Sequence, residues 1–220
     1  MADYNLFYFN IEANSEQINY ANKLVDYSIE HHSVKDIFAE DPNGKERQRE
    51  FRFTGTLGEI LFADTYKLPR PTKSFGAVDG QDNGEDFIIS INGNNFSFDV
   101  KSMSRKSNVF RKNYVLNIPA YQINKEKVIT DYYFCISISL ISGKYVVSFL
   151  GFILRNDILK NKVGILYKKG TKRIKDDGTF FIFQRDTYEI DFKDIHSPFL
   201  DEEIKKITGF ELKKLLEPIN

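Results

Sequence analysis

Two long apolar runs separated by a short turn constrain the fold of this chain most. The runs are DYYFCISISLI and YVVSFLGFIL, and Ser-Gly-Lys lies between them. Both runs are rich in β-branched and aromatic residues, which favour strands, and glycine and serine favour the turn. The pattern predicts a long β-hairpin over residues 131–154 at the centre of the fold.

Other elements are predicted on both sides of this hairpin. A helix is expected from Asn14 to about Ile37, with Ser15 as its N-cap, and a second helix in at least the second half of Lys45–Lys67. The runs DFIISI and FSFDVKS, joined by Asn-Gly-Asn-Asn, predict a shorter hairpin. An irregular basic stretch, SMSRKSNVFRK, is expected to follow.

The remainder of the chain adds short elements only. RNDILKNK predicts a short helix, GILYKK and TFFIFQ predict strands, and an amphipathic helix is expected at about Asp201–Leu215. This order of elements favours an α/β or mixed α+β class, in which a central mixed β-sheet is flanked by helices. We expect a single domain over 1–220, with a helical part at about 14–67, a sheet core at about 84–155 and a β/helix extension at about 156–220.

Composition excludes several classes of protein. The 220 residues carry 31 basic and 31 acidic side chains, so there is no overall basic excess of the kind found in nucleic-acid coat proteins. One cysteine, Cys135, cannot form an intramolecular disulfide, and we interpret it as a small buried hydrophobe. The first residues lack the basic start and continuous apolar core typical of a secretion signal, and no apolar run is long enough for a membrane span, so we expect a cytoplasmic protein.

The candidate chemistry lies in FSFDVKS. Side chains alternate across a strand, so Asp99 and Lys101 project from one face about 6.5 to 7 Å apart, whereas Phe98 and Val100 face the other way. A hairpin turning at Asn92 and Gly93 would bring Asp86 beside them. An aspartate and a lysine two residues apart are also common on an ordinary solvated strand, so this pair alone does not identify a site.

Glu59, on the preceding helix, is the third carboxylate. Thr56-Leu-Gly-Glu59 matches a capping box, in which the glutamate would bond the backbone at the start of a helix. Alternatively, Glu59 shares a helix face with Phe62 and Tyr66 and is partly buried, because the helix is apolar almost all round. A buried carboxylate needs a partner such as a metal ion or a lysine.

The series Gly58-Glu59 on a helix, Asp86 before a strand, and Asp99-Val100-Lys101 on the next strand resembles the PD-(D/E)XK nuclease superfamily. The motifs cover about Gly55–Ser102, and Glu85 stands where the family name has proline. The resemblance implies a restriction-endonuclease-like core and a Mg²⁺-dependent deoxyribonuclease, with Mn²⁺ as an alternative ion. It further implies catalytic roles for Glu59, Asp86, Asp99 and Lys101, and metal ligation by the three carboxylates and the Val100 carbonyl. These carboxylates are the hard oxygen ligands that Mg²⁺ prefers, and a lysine can offset transition-state charge.

Contacts with DNA are expected from acid-free basic stretches. The stretch 101–112 contains five basic residues, and candidates for phosphate contacts are Arg105, Lys106, Arg111 and Lys112. The stretch 160–175 contains seven. By resemblance, Gln122 is a weaker candidate for an accessory polar group. Since cutting both strands usually needs two sites, a homodimer is plausible.

Other functions are weighed against the nuclease. The same fold can serve as a non-catalytic nucleic-acid-binding or assembly module, and an unrelated α+β domain can carry Asp99 and Lys101 on a solvated strand face. The loop from Asp79 fits the first positions of a calcium loop but has Ser90 where glutamate is required. No phosphate-binding loop occurs, so no nucleotide cofactor is expected, and three histidines and one cysteine lack zinc-site spacing.

Overall fold

The fold consists of two packed β-sheets with two long helices against the larger sheet. A computed structural model describes residues 7–31, 44–74, 86–91, 93–111, 114–124, 130–174, 178–196, 198 and 217–218. The larger sheet has six strands and the second has three. The chain is therefore a mixed α+β protein in which helices flank a mixed sheet.

The predicted central hairpin is confirmed. Strand β5 (Tyr132–Ile141) pairs antiparallel with β6 (Lys144–Leu154). Ser142 and Gly143 both have positive φ, 50° and 79°, as the tight turn between right-twisted strands requires. Strand β1 (Phe7–Glu12), which the sequence analysis did not predict, pairs with the outer side of β6, and β11 (Glu217–Pro218) pairs with β1.

The shorter hairpin is confirmed as well. Strand β2 (Phe87–Ile91) runs antiparallel to β3 (Asn94–Arg105), with Gly93 at φ 78° in the turn. Strand β3 then pairs in parallel with β5, from Phe98 beside Tyr132 to Arg105 beside Ser139. The expectation of an irregular stretch from Ser102 was wrong at its start, because β3 continues to Arg105.

The two helices cover one face of the larger sheet. Helix α1 (Ser15–Glu30) begins one residue after its N-cap, which is Asn14 and not Ser15 as predicted. The Asn14 side chain accepts from the Gln17 N–H, and the Gln17 side chain accepts from the Asn14 N–H, a complete capping box. Helix α2 (Gly44–Thr65) is longer than the predicted minimum.

The second sheet contains β4 (Val115–Pro119), β7 (Ile165–Tyr167) and β10 (Thr187–Asp191). Two short helices, α3 (Ala120–Ile123) and α4 (Arg155–Leu159), follow β4 and β6, and α4 is the predicted short helix. Strands β8 (Lys172–Ile174) and β9 (Phe180–Ile182) form a separate hairpin. The predicted helix at about 201–215 lies outside the described residues.

Two hydrophobic cores lie on opposite faces of the larger sheet. The core on the helix side includes Phe62 and Leu61 of α2 and Phe98 and Val100 of β3. The core between the sheets includes Tyr133 and Cys135 of β5 and residues of the second sheet, namely Leu116, Ile118, Tyr188 and Ile190. The central strands are thus buried on both faces, which explains why β5 reads as a nearly continuous apolar run.

None of the described helices is long and apolar enough to cross a membrane.

Candidate functional site

Asp99 and Lys101 lie on the face of β3 that is turned toward the second sheet. The Lys101 Nζ is 2.5 Å from Oδ1 and 2.6 Å from Oδ2 of Asp99. The Asp99 side chain is 13% exposed and that of Lys101 is 18% exposed. Phe98 and Val100, on the other face, are buried among the helix-side residues, as the alternation predicted. The ion pair is therefore not on a solvated strand face.

The chain contains a second Asp-x-Lys pair with the same spacing. Lys193 Nζ lies 2.8 Å from Asp191 Oδ2, but these side chains are 55% and 39% exposed. Exposed ion pairs of this kind contribute little to stability. The comparison distinguishes the pair on β3, which is sheltered and has polar neighbours, from an ordinary surface pair.

Asp86 stands opposite Asp99 across the β2–β3 hairpin. The Asp86 N–H donates to the Phe98 carbonyl at 2.8 Å, and Asp86 Oδ2 accepts from the Val100 N–H at 2.6 Å. These two contacts lie on either side of Asp99 along β3. Asp86 therefore ends the β2 pairing and brings a carboxylate to the edge of β3 at the level of Asp99.

The Val100 carbonyl lies on the same edge of β3 as Asp86. In an extended strand the N–H and C=O of one residue point to the same side, and the Val100 N–H points to Asp86. Beyond Asp99, no strand among the described residues pairs with this edge. This carbonyl therefore has no strand partner among the described residues.

Glu59 lies where α2 crosses β3. Its neighbour Gly58 packs so closely on β3 that a Cβ at position 58 would lie 1.9 Å from Ser102 Oγ. Glu59 is partly buried, as expected. The alternative capping-box role is not realised, because Thr56 lies in the middle of α2 and its hydroxyl is bonded to Ser74. Glu59 thus approaches β3 at the level of Ser102 from the helix side.

The donor set fits Mg²⁺ with two carboxylates better than with three. No three His, Cys, Asp or Glu side chains within the described ranges are grouped as a metal site. Asp86 and Asp99 stand opposite one another with the Val100 carbonyl on the same edge. Mg²⁺ is commonly held by one or two carboxylates and keeps several waters, so this set suits it. The predicted convergence of Glu59 with both aspartates is not seen.

Tyr133, on the neighbouring strand β5, lies beneath the ion pair and forms what we call the floor of the site. It is the parallel partner of Asp99, and its ring centroid lies 5.8 Å from Lys101 Nζ. Burial, and then the charge of Asp99, raise the pKa of the Tyr133 phenol far above its usual range, whereas Arg155 opposes this shift. The phenol stays protonated and donates to the Gln122 carbonyl at 3.1 Å.

Gln122 and Arg155 join the same neighbourhood through Tyr133. The Gln122 Oε1 atom is buried and has no hydrogen-bond partner among the described residues. The Arg155 Nε donates to the carbonyl of Ile123 at 2.7 Å, which fixes the start of α4 next to α3. The backbone of Gln122 thus contacts Tyr133, and its accessory role stays a prediction. Tyr133 and Arg155 lie in this neighbourhood, and the sequence analysis did not single them out.

Ser97 and Asp131 hold the beginning of the parallel pairing. Asp131 Oδ2 accepts from the Ser97 N–H at 2.9 Å and lies 3.1 Å from its hydroxyl, and the Asp131 N–H donates to Ser97 Oγ at 3.0 Å. Ser97 is buried as a result. The first member of the predicted polar row is thus a structural residue that fixes the register of Asp99 against Tyr133.

Arg105 has contacts that connect the two sheets. Its guanidinium donates to the Val115 carbonyl at 2.9 Å and lies 4.9 Å and 5.1 Å from the ring centroids of Tyr114 and Phe192. Burial lowers its pKa. These contacts give Arg105 a structural role, and its phosphate contact stays a prediction.

The other basic candidates lie on an anchored segment. Lys106 and Arg111 are exposed, and between them Phe110 is buried against Tyr8 and Phe192. Lys112 lies outside the described residues. The segment is about 17 Å from Lys101 along β3, given a rise of about 3.3 Å per residue.

Cys135 is fully buried, as interpreted, and burial raises the pKa of its thiol. The calcium-loop candidate from Asp79 lies mostly outside the described residues.

Comparisons with known proteins do not assign the chain to a family: no family model, no curated protein and no solved structure matches it.

Proposed function

We propose that the protein is a Mg²⁺-dependent deoxyribonuclease with a restriction-endonuclease-like core. The observation that carries the proposal is the sheltered Asp99–Lys101 ion pair with Asp86 held opposite it on the neighbouring strand. The order of elements supports the fold, since α2 packs on an antiparallel hairpin whose second strand pairs in parallel with β5.

In this proposal Asp86 and Asp99 hold Mg²⁺ together with the Val100 carbonyl, and Glu59 lies nearby on α2. The bound ion would polarise the scissile phosphate and lower the pKa of a water molecule. Backbone hydrogen bonds already orient Asp86, so little side-chain freedom is lost when it acts as a ligand. Asp99 would hold the cation with carboxylate oxygens that contact Lys101 in this structure.

Lys101 then offsets the charge of the phosphate. Its ammonium group is held above the Tyr133 ring and beside Asp99, where exposure to water is low. A compact cation in such surroundings interacts more strongly with a developing negative charge than it would in water. Tyr133, tied to Gln122, keeps the floor of the site in position.

The test is cleavage of supercoiled plasmid with Mg²⁺, with Mn²⁺ or with EDTA. Wild-type protein should nick or linearise the plasmid only with a divalent ion, and Asp99→Asn and Lys101→Met should each abolish cutting. The matched controls are Asp191→Asn and Lys193→Met, which alter the exposed pair of the same spacing and should cut normally.

The outcomes separate the alternatives. Binding of plasmid without cutting under any ion would favour the non-catalytic module. Cutting that survives in both site variants would reject these residues as the active site.

A further inference from the structure

We propose that the β8–β9 hairpin and the turn before it form a docking surface for duplex DNA. This inference rests on the proposed function, because it adds a second DNA contact to the same site. The stretch 160–175, which contains β8, has seven basic residues and no acidic one, and Asp176 and Asp177 follow it in the sequence. Lys162, Lys168 and Arg173 form ion pairs, so the proposal rests on Lys169 and Lys172.

The hairpin is anchored by its inner face. Arg173 and Phe181 are opposite one another in the β8–β9 pairing. The Arg173 Nε lies 3.0 Å from Oε1 of Glu189, a buried residue of β10. Phe181 packs against Phe183, whose ring in turn stacks on Tyr167 of β7 with centroids 4.9 Å apart. These contacts fix the hairpin on the outer face of the second sheet.

The outer face of the hairpin carries exposed apolar side chains. Ile174, Phe180 and Ile182 are 59%, 54% and 47% exposed. Lys172 shares this face, and its Nζ lies 4.0 Å from the Phe180 ring centroid. A two-stranded ribbon that combines exposed apolar side chains with a lysine suits a DNA groove, in which apolar groups contact sugars and bases and the cation contacts phosphate.

A chain of contacts connects this surface to the candidate site. Lys168 and Lys169, in the turn between β7 and β8, are bound to Asp186: Lys168 Nζ at 2.8 Å and the Lys169 N–H at 2.9 Å. The Asp186 carbonyl accepts from the Ala120 N–H at the start of α3. Helix α3 also supplies the Gln122 carbonyl that binds Tyr133 beneath Lys101.

The position of this turn favours DNA as the occupant. The turn lies at the end of the second sheet where α3 meets the site, since Asp186 contacts both the turn and the start of α3. A duplex on Lys169 and Lys172 would therefore have its backbone at the end of the molecule where Asp99 and Lys101 lie. With no net charge on the whole chain, such a local basic surface is needed to hold a polyanion.

The test is fluorescence anisotropy with a labelled 20-base-pair duplex in EDTA, so that no cleavage is required. Lys169→Glu/Lys172→Glu should weaken binding and lower the slope of log affinity against log salt by about 2. Phe180→Ser/Ile182→Ser should weaken binding at all salt concentrations with an unchanged slope. Controls are Lys23→Glu on α1 and Leu140→Ser, an exposed leucine at the end of β5.

Each outcome has one meaning. Wild-type affinity in both hairpin variants, with circular dichroism unchanged, overturns the docking proposal and leaves plasmid cutting to decide the proposed function. If the Phe180 variant instead converts a dimer into a monomer in light scattering and binds DNA normally, the face is an interface between copies and the proposal is wrong. If the hairpin variants weaken DNA binding but Asp99→Asn cuts plasmid normally, the docking proposal is supported and the proposed active site is rejected.

Discussion

Gly58 of α2 lies so close to Ser102 of β3 that a single added carbon would overlap the serine hydroxyl. Helix α2 and strand β3 carry Glu59 and the Asp99–Lys101 pair, so this contact sets the distance between the two elements of the proposed site.

Replacing Gly58 by alanine should therefore destabilise the fold by about 1–3 kcal/mol, because the added methyl must displace the Ser102 hydroxyl and would lie 3.0 Å from the Ser102 Cβ. Gly55→Ala is the matched control, since nothing lies within 4 Å of a Cβ there. On the same helix it should stabilise by about 0.5–1 kcal/mol. Urea unfolding measures both, and equal effects at the two positions would contradict the close packing.

Arg105→Met should lower the free energy of unfolding by about 1–2 kcal/mol, because it removes the hydrogen bond to Val115 and the contacts with two aromatic rings. The neighbouring Lys106→Met should leave stability unchanged, since Lys106 is exposed. In DNA binding the order should reverse: only the Lys106 variant should reduce the salt slope, by about 1. If Arg105→Met instead lowers the slope of log affinity against log salt and keeps full stability, the predicted phosphate contact of Arg105 is supported.

Asp131→Ala should destabilise by about 1–3 kcal/mol, because the buried Ser97 loses the acceptor for its N–H. Asp131→Asn keeps an acceptor oxygen and should lose less. Chemical unfolding gives both values. If the two substitutions cost the same, the hydrogen bond from Ser97 is not what holds the strands in register.

The stability of the protein should fall between about pH 7 and pH 5. Burial lowers the pKa of His196, and the charge of Asp157 only partly opposes this. Below the unfolded pKa of about 6.5, the unfolded chain binds a proton that the folded chain takes up only at lower pH. Protonation therefore favours unfolding, and stability is lost as pH falls.

His196→Gln should reduce this loss. The urea midpoint of each protein is measured at pH 7.5 and pH 5.5, and the change between the two pH values is compared between wild type and variant. The contributions of the other histidines cancel in this comparison. Parallel shifts in the two proteins would show that His196 does not titrate differently on folding.

The hairpins and helix α2 could be predicted from sequence because their signals are local. Gly93 and Gly143 supply the turns, and apolar alternation around Asp99 sets which side chains face the helices. These are interactions between near neighbours in the chain, and they do not depend on which distant segments pack against them.

The floor of the proposed site was not predictable in this way. Tyr133 lies beneath Lys101 because β5 pairs in parallel with β3, and nothing in either strand's own pattern specifies that partner or its register. From sequence, Arg105 is expected to be a surface cation. Only the fold places the rings of Tyr114 and Phe192 against its guanidinium. Strands β1 and β10 were missed for the same reason, since short strands depend on their partners more than on their own composition.

The parallel pairing of β3 with β5 also bears on how the molecule unfolds. Two parallel neighbours need a crossover, and here the chain between them passes through β4, a strand of the second sheet, and then through α3. Neither sheet can open far while the other stays closed, because β3 and β5 contribute to both cores. We therefore expect one cooperative foldon, in which the slowest-exchanging amides of β4 and β5 report the same opening free energy.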